Sequence, residues 1–108
     1  MDATLVARNL AMPLETLAAF ARRWRLAEFS LFGSVLREDF TPASDVDVLI
    51  SLPTGVSLTF TDYFKMKDEL EGIIGREVDL IDRSAITQSH NWLRRKYIFD
   101  SAQVVYTA

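Results

Sequence analysis

Two short apolar runs joined through a glycine constrain this chain most. The segment reads Leu31-Phe32-Gly33-Ser34-Val35-Leu36-Arg37-Glu38-Asp39-Phe40-Thr41-Pro42-Ala43-Ser44-Asp45-Val46-Asp47-Val48-Leu49-Ile50. Successive side chains of a strand point to opposite faces. Asp45 and Asp47 therefore share one face of the second run, and Val46, Val48 and Ile50 take the other. Two carboxylates side by side repel and resist ionising together, so a β-branched strand would be more stable with almost anything else there. Hard divalent cations such as Mg²⁺ remove the conflict by turning repulsion into coordination. The plainer alternative is a capped strand entry, with Ser44-Asp45 in a turn and Asp47 solvated.

Gly33-Ser34 shifts the balance. Glycine lets the backbone turn tightly and lets a ligand approach closely. Ser34 then opens a short helical turn whose free N–H groups suit an anion, phosphate above all. Taken alone it would be an ordinary serine cap. A phosphate cradle followed by a metal-binding carboxylate pair is the more specific combination.

The rest of the chain narrows the class. With 108 residues, one domain spanning 1–108 is expected, and such a chain buries roughly two-thirds of its unfolded surface. A composition of 49% hydrophobic and 25% charged residues is that of an ordinary globular protein. No apolar stretch approaches the ~20 residues of a membrane span, and Met1-Asp2-Ala3-Thr4 lacks a signal-peptide pattern. Without cysteine there is no disulfide or thiolate chemistry, and the cytoplasm is the expected location. A net charge of −3 argues against direct nucleic-acid binding. A nucleotide site could use most of one sheet face, so if the chain is a transferase its acceptor is expected on another molecule.

In chain order, the first dozen residues show no clear pattern and are expected to fray or dock loosely. Leu14, Leu17, Ala18, Ala21 and Trp24 recur at helical spacing, predicting a helix from about Met12 to Arg25 with Arg22, Arg23 and Arg25 solvated. A strand over Leu26–Phe32, a turn over Ser34–Arg37 and a second strand over Asp45–Leu52 follow, ended by Pro53-Thr54-Gly55. Ser57 or Thr59 caps the next helix, whose Phe60, Tyr63, Phe64, Met66, Leu70, Ile73 and Ile74 are expected in the core, with Gly75 at its end. Glu77–Asp82 predicts a third strand. Its Asp79 sits among apolar neighbours, where a carboxylate is seldom tolerated without a partner. Pairing beside the second strand would bring Asp79 to Asp45 and Asp47. Asp82 is expected as a turn or cap residue.

Ser84 is expected to cap a last helical region, interrupted near His90-Asn91, with Trp92, Leu93, Ile98 and Phe99 buried. His90 is expected at a helix boundary rather than as a base. Arg94-Arg95-Lys96 reads as a solvated face, with partner contact as the sharper alternative. Val104-Val105-Tyr106 closes the chain as an edge strand.

Gly33-Ser34, Arg37, Ser44-Asp45-Val46-Asp47-Val48-Leu49-Ile50 and Val78-Asp79-Leu80 resemble the nucleotidyltransferases of the DNA polymerase β superfamily, and more narrowly its minimal nucleotidyltransferases. That resemblance implies an α/β (α+β) fold, a mixed β-sheet flanked by helices. It implies that Asp45, Asp47 and Asp79 are catalytic and hold two Mg²⁺ ions, with Asp79 also helping to activate the acceptor. Gly33 and Ser34 would bind the nucleotide's phosphates, and Arg37 would either assist them or brace the loop. ATP is the implied substrate, attacked at its α-phosphorus by a hydroxyl with loss of pyrophosphate. The implied partner is a HEPN-domain toxin, adenylylated on tyrosine by this chain acting as antitoxin, and an oligomer with that toxin is compatible with it. Two other readings compete: an inactive fold that neutralises its toxin by binding alone, and nucleotidyl transfer to a small molecule.

Overall fold

The computed structural model describes residues 3–108. Helices α1 (Ala3–Leu10) and α2 (Leu14–Arg23) lead into strand β1 (Glu28–Phe32) and a 3₁₀ turn, Gly33–Leu36. Strand β2 (Val46–Ser51), helix α3 (Phe60–Ile74) and strand β3 (Val78–Asp82) follow. Helices α4 (Arg83–Thr87) and α5 (Trp92–Ser101) and strand β4 (Gln103–Thr107) complete the order. The strands form one mixed sheet, β3-β2-β1-β4. β1 runs antiparallel to both β2 and β4, and β2 runs parallel to β3. The mixed sheet flanked by helices is the expected architecture, and β4 is the expected edge strand.

Alternation along the strands divides the core in two. Phe29, Leu31, Val46, Val48, Ile50, Val78 and Leu80 pack with residues of α1, α2 and α3, among them Val6, Leu17, Phe20, Met66 and Leu70. Phe32, Leu49 and Ile81 pack on the other face against Ile86 of α4 and Ile98 of α5. Asp47 and Asp79, each one residue out of step with the larger core, therefore belong to the α4/α5 face. Among the described residues no helix is long and apolar enough to cross a membrane.

Several expectations are corrected. The opening segment, expected to fray or dock loosely, is helical from Ala3 and firmly docked, with Val6 and Leu10 one turn apart and both buried. The part of that expectation concerning Met1 and Asp2 lies outside the described residues. Phe60 and Phe64 are not core: they are 81% and 46% exposed and pack edge-on against each other. The buried line of α3 is Met66, Leu70 and Ile74, each contributing about 1.5–3 kcal/mol when fully buried. Those three suffice to seat the helix while its first turns remain uncovered. Trp92 and Leu93, expected buried, are 60% and 63% exposed, and Ile98 alone of α5 is fully covered. Thr59, not Ser57, caps α3 by accepting from the Asp62 N–H, and Gly75 ends it at φ 75°. Asp82, not Ser84, caps α4, accepting from the Ser84 N–H. β2 begins at Val46, so Asp45 lies just ahead of the strand.

The first helix also reaches the polar segment after β1. Asn9 Nδ2 donates to the carbonyls of Val35 and Arg37 at 2.9 and 3.0 Å, closing two acceptors that the short turn cannot satisfy itself. Asn9→Ala is expected to lower the unfolding free energy by about 1–2 kcal/mol. The check is a denaturant melt in which the midpoint falls and the slope stays unchanged.

Candidate active site

Of the sequence-predicted residues, Gly33, Asp47 and Asp79 meet at one end of the sheet. Asp47 pairs with Phe32 across the β1–β2 ladder and stands beside Asp79 in the parallel β2–β3 register. Like faces are presented in step by parallel neighbours, so the two carboxylates leave the same side of the sheet. Gly33 follows Phe32 at φ 77°, the left-handed region open to glycine. A Cβ there would overlap Asp47 Oδ2 and lie 3.2 Å from its Cγ. The glycine therefore serves twice, turning the chain and making room for the acid.

Asp45 is positioned from outside its own strand. Arg76 Nη1 donates to the carbonyls of Thr41 and Ser44 at 2.8 and 3.2 Å, and its guanidinium lies over the Phe40 ring at 4.3 Å. Thr41 and Ser44 close that loop with two further contacts, at 3.0 and 3.1 Å. The Val46 N–H then donates to the Glu77 carbonyl, stitching the entry of β2 to the approach of β3. Arg76 carried no signal in the sequence beyond its place after Gly75.

The charges are unbalanced. Burial first, then the neighbouring Asp79 and Asp45, push the Asp47 carboxyl from its ordinary 3.8 up to about 6, while Arg94 and Arg37 pull it part of the way back. Arg94 Nη2 faces Asp79 Oδ2 at 3.7 Å. Arg37 Nε donates to Asp39 at 3.0 Å, and its Nη1 donates to the Tyr97 hydroxyl at 3.5 Å. Arg94 and Tyr97 lie three apart on α5 and so share one helix face. Sequence reasoning missed both as site residues. For Arg94 the signal is its place one turn before Ile98, the buried anchor of α5; Tyr97 gives none. Arg95, by contrast, donates to the carbonyls of Thr87 and Ser89, and Lys96 pairs with Asp100. The expected basic face is thus three residues with three tasks. His90 lies between α4 and α5, and Asn91 caps α5.

Ser34 lies inside the 3₁₀ turn, whereas Arg37, expected as the turn's last residue, is extended just beyond its end at Leu36. Asp79 and Arg94 also border a cleft of about 460 Å³ walled by Phe60, Tyr63 and Ala85. Among the described residues, no three acids, histidines or cysteines converge closely enough to enclose one ion. The donor set still suits Mg²⁺, which binds through one or two carboxylates, waters and substrate phosphates rather than a closed protein cage. Asp47, half-buried beside two like charges, is the oxygen donor that gains most from a cation.

At one end of a mixed four-stranded sheet with helices on both faces, a glycine turn thus abuts an acidic strand. The profile of the nucleotidyltransferase domain matches residues 15–105, and the chain belongs to that family. A relative from Methanocaldococcus jannaschii, named "Putative protein adenylyltransferase", is 32% identical over 76 residues, covering 70% of this chain and 73% of the relative. A solved structure described as a "putative minimal nucleotidyltransferase" is 30% identical and covers 95% of both chains, at a TM-score of 0.62. The fold is also similar to a chain in the complex of a tri-AMPylated Shewanella oneidensis HEPN toxin with its MNT antitoxin. That match has a TM-score of 0.64 and 16% identity, over 95% of this chain and 73% of that one.

Proposed function

We propose that this nucleotidyltransferase transfers AMP from ATP to a tyrosine hydroxyl of a partner HEPN toxin and so acts as its antitoxin. The observation that carries the reading is the register of Asp47 beside Asp79, directly behind Gly33. Asp45, Asp47 and Asp79 are assigned to Mg²⁺, the first two from the mouth of β2 and the third from β3. Bound there, two such ions would offset the charge on the attacking and leaving oxygens of an in-line displacement. Gly33 and Ser34 receive the phosphates on the N–H groups of the turn. Arg37, braced by Asp39 and Tyr97, contributes positive charge beside them. The acceptor oxygen bonds to the α-phosphorus, the bond to the pyrophosphate oxygen breaks, and the hydroxyl proton leaves toward Asp79. Positioning and charge supply most of the acceleration in such chemistry.

The acceptor arrives from outside. The cleft beside Asp79 opens past Phe60 and Tyr63, and the partner segment approaches along it. The Methanocaldococcus relative's name supports a protein acceptor, and the AMPylated toxin complex supports the class of partner. The functional unit in this reading is residues 1–108, working in the cytoplasm and assembled with the toxin.

The test is incubation of the protein with α-labelled ATP, Mg²⁺ and the HEPN protein encoded beside it. Label is expected on a partner tyrosine and is expected to fall at least ~100-fold in Asp45→Ala, the scale of losing several kcal/mol of transition-state stabilisation. A partner that is neutralised without acquiring label would make the protein a binding module. Label on a small molecule alone would make it a modifying enzyme of that class.

A further inference from the structure

We infer that Arg94 is an exchangeable counter-ion of the site: it holds Asp79 until a divalent cation takes that carboxylate, and then turns to the triphosphate of the incoming nucleotide. The inference rests on the nucleotidyl-transfer reading above and names a residue which that reading does not use. Among the described residues, Arg94 makes the one ion pair to any of Asp45, Asp47 and Asp79. The contact, at 3.7 Å, is too long for a hydrogen bond. Both side chains are about half exposed, 53% and 50%, so little free energy opposes its opening. A purely structural arginine would be expected to find a fixed acceptor, as Arg95 does at Ser89 and Arg76 does at Thr41.

The placement also decides where the freed group goes. Arg94 faces Asp79, which stands beside Asp47 in the β2–β3 register, so the guanidinium lies at the edge of both acids. A cation on Asp79 would repel the guanidinium and remove its partner. Arg37 is held by hydrogen bonds to Asp39 and Tyr97, whereas the Arg94 contact to Asp79 is not one. A guanidinium fork matches phosphate oxygens well. The nearest anion then available is the nucleotide.

Two binding measurements on Arg94→Ala test this, since the exchange predicts opposite signs. By calorimetry, Mn²⁺ alone is expected to bind the variant about 2–5-fold more tightly than wild type, the range given by loss of a competing exposed ion pair. With Mn²⁺ saturating, a non-hydrolysable ATP analogue is expected to bind about 10-fold more weakly, as for a lost charge-assisted phosphate contact. Arg94→Lys is expected to recover part of the nucleotide affinity, and Lys96→Ala on the same helix to match wild type in both. Thermal melts show whether α5 remains folded. If both affinities in Arg94→Ala lie within twofold of wild type, or if Mn²⁺ binds more weakly, the exchange is overturned and the transfer reading stands. If wild type binds neither metal nor nucleotide, both fall together.

Discussion

Asp47→Asn is expected to unfold at higher denaturant than the wild type at pH 8, while losing transfer activity by ~10³-fold or more. Both results come from one carboxylate. Asp47 is half-buried beside Asp79 and feels the charge of Asp45, and its carboxyl is raised from 3.8 to about 6. Between those values the folded protein keeps a proton that the unfolded chain has released. Stability therefore declines as pH rises through that window, and the deficit is complete above it. A shift of this size corresponds to about 3 kcal/mol at 1.36 kcal/mol per unit. Contact with solvent reduces that to on the order of 1–2 kcal/mol. Asparagine keeps the shape and removes the charge, so the variant gains that amount at pH 8 and the gap closes near pH 4. Denaturant melts at the two pH values give the comparison. An Asp47→Asn protein less stable than wild type at pH 8 would mean that the carboxylate is already neutralised within the chain. Mg²⁺ added to the melts extends the test: it is expected to stabilise the wild type, which gains a cation, and to leave the variant little changed.

That the Asp47 carboxylate should destabilise its own strand explains why this position stood out from residues alone. Asp47 interrupts a β-branched run that would fold better without it, and such a conflict marks a place where packing is not the governing demand. Gly33-Ser34 was legible for a related reason, because glycine at the end of a strand weakens it unless the turn or a close approach needs it. The missed elements were those for which pattern is silent about what lies opposite. Phe60 and Phe64 continue the apolar stripe of α3, but β3, which that helix overlies, is the edge of the sheet. No further layer covers the helix's first turns there. Trp92 and Leu93 likewise belong to the opening turn of α5, ahead of the single buried anchor Ile98. Helix α1 has only Val6 and Leu10 buried, too few turns for a period to stand out. Arg94 looked like one member of a basic run, and only tertiary placement separates it from Arg95 and Lys96. The sheet and its acids are thus local properties of the sequence, whereas what reaches over them depends on how far each helix extends.

Gly33→Ala is expected to lower activity far more than stability, and the reason lies in which atom must give way. Alanine at φ 77° carries strain of about 1–3 kcal/mol. Its Cβ also overlaps the Asp47 carboxylate, the end of a side chain that can rotate away. The fold survives because the obstacle is movable, but the group that moves is the central acid of the site. Catalytic geometry tolerates displacements well below the size of a methyl group, and a misplacement of ~1 Å lowers rates by ~10²-fold. A double-mutant cycle separates strain from overlap. Combined with Asp47→Ala, the Gly33→Ala change is expected to cost less stability than in the wild type, since only the backbone term is left. Strict additivity would show that the glycine serves the turn alone. A positive coupling instead ties the bend after β1 to the acid on β2 as one unit, in which the absent side chain at position 33 is what admits the carboxylate at position 47.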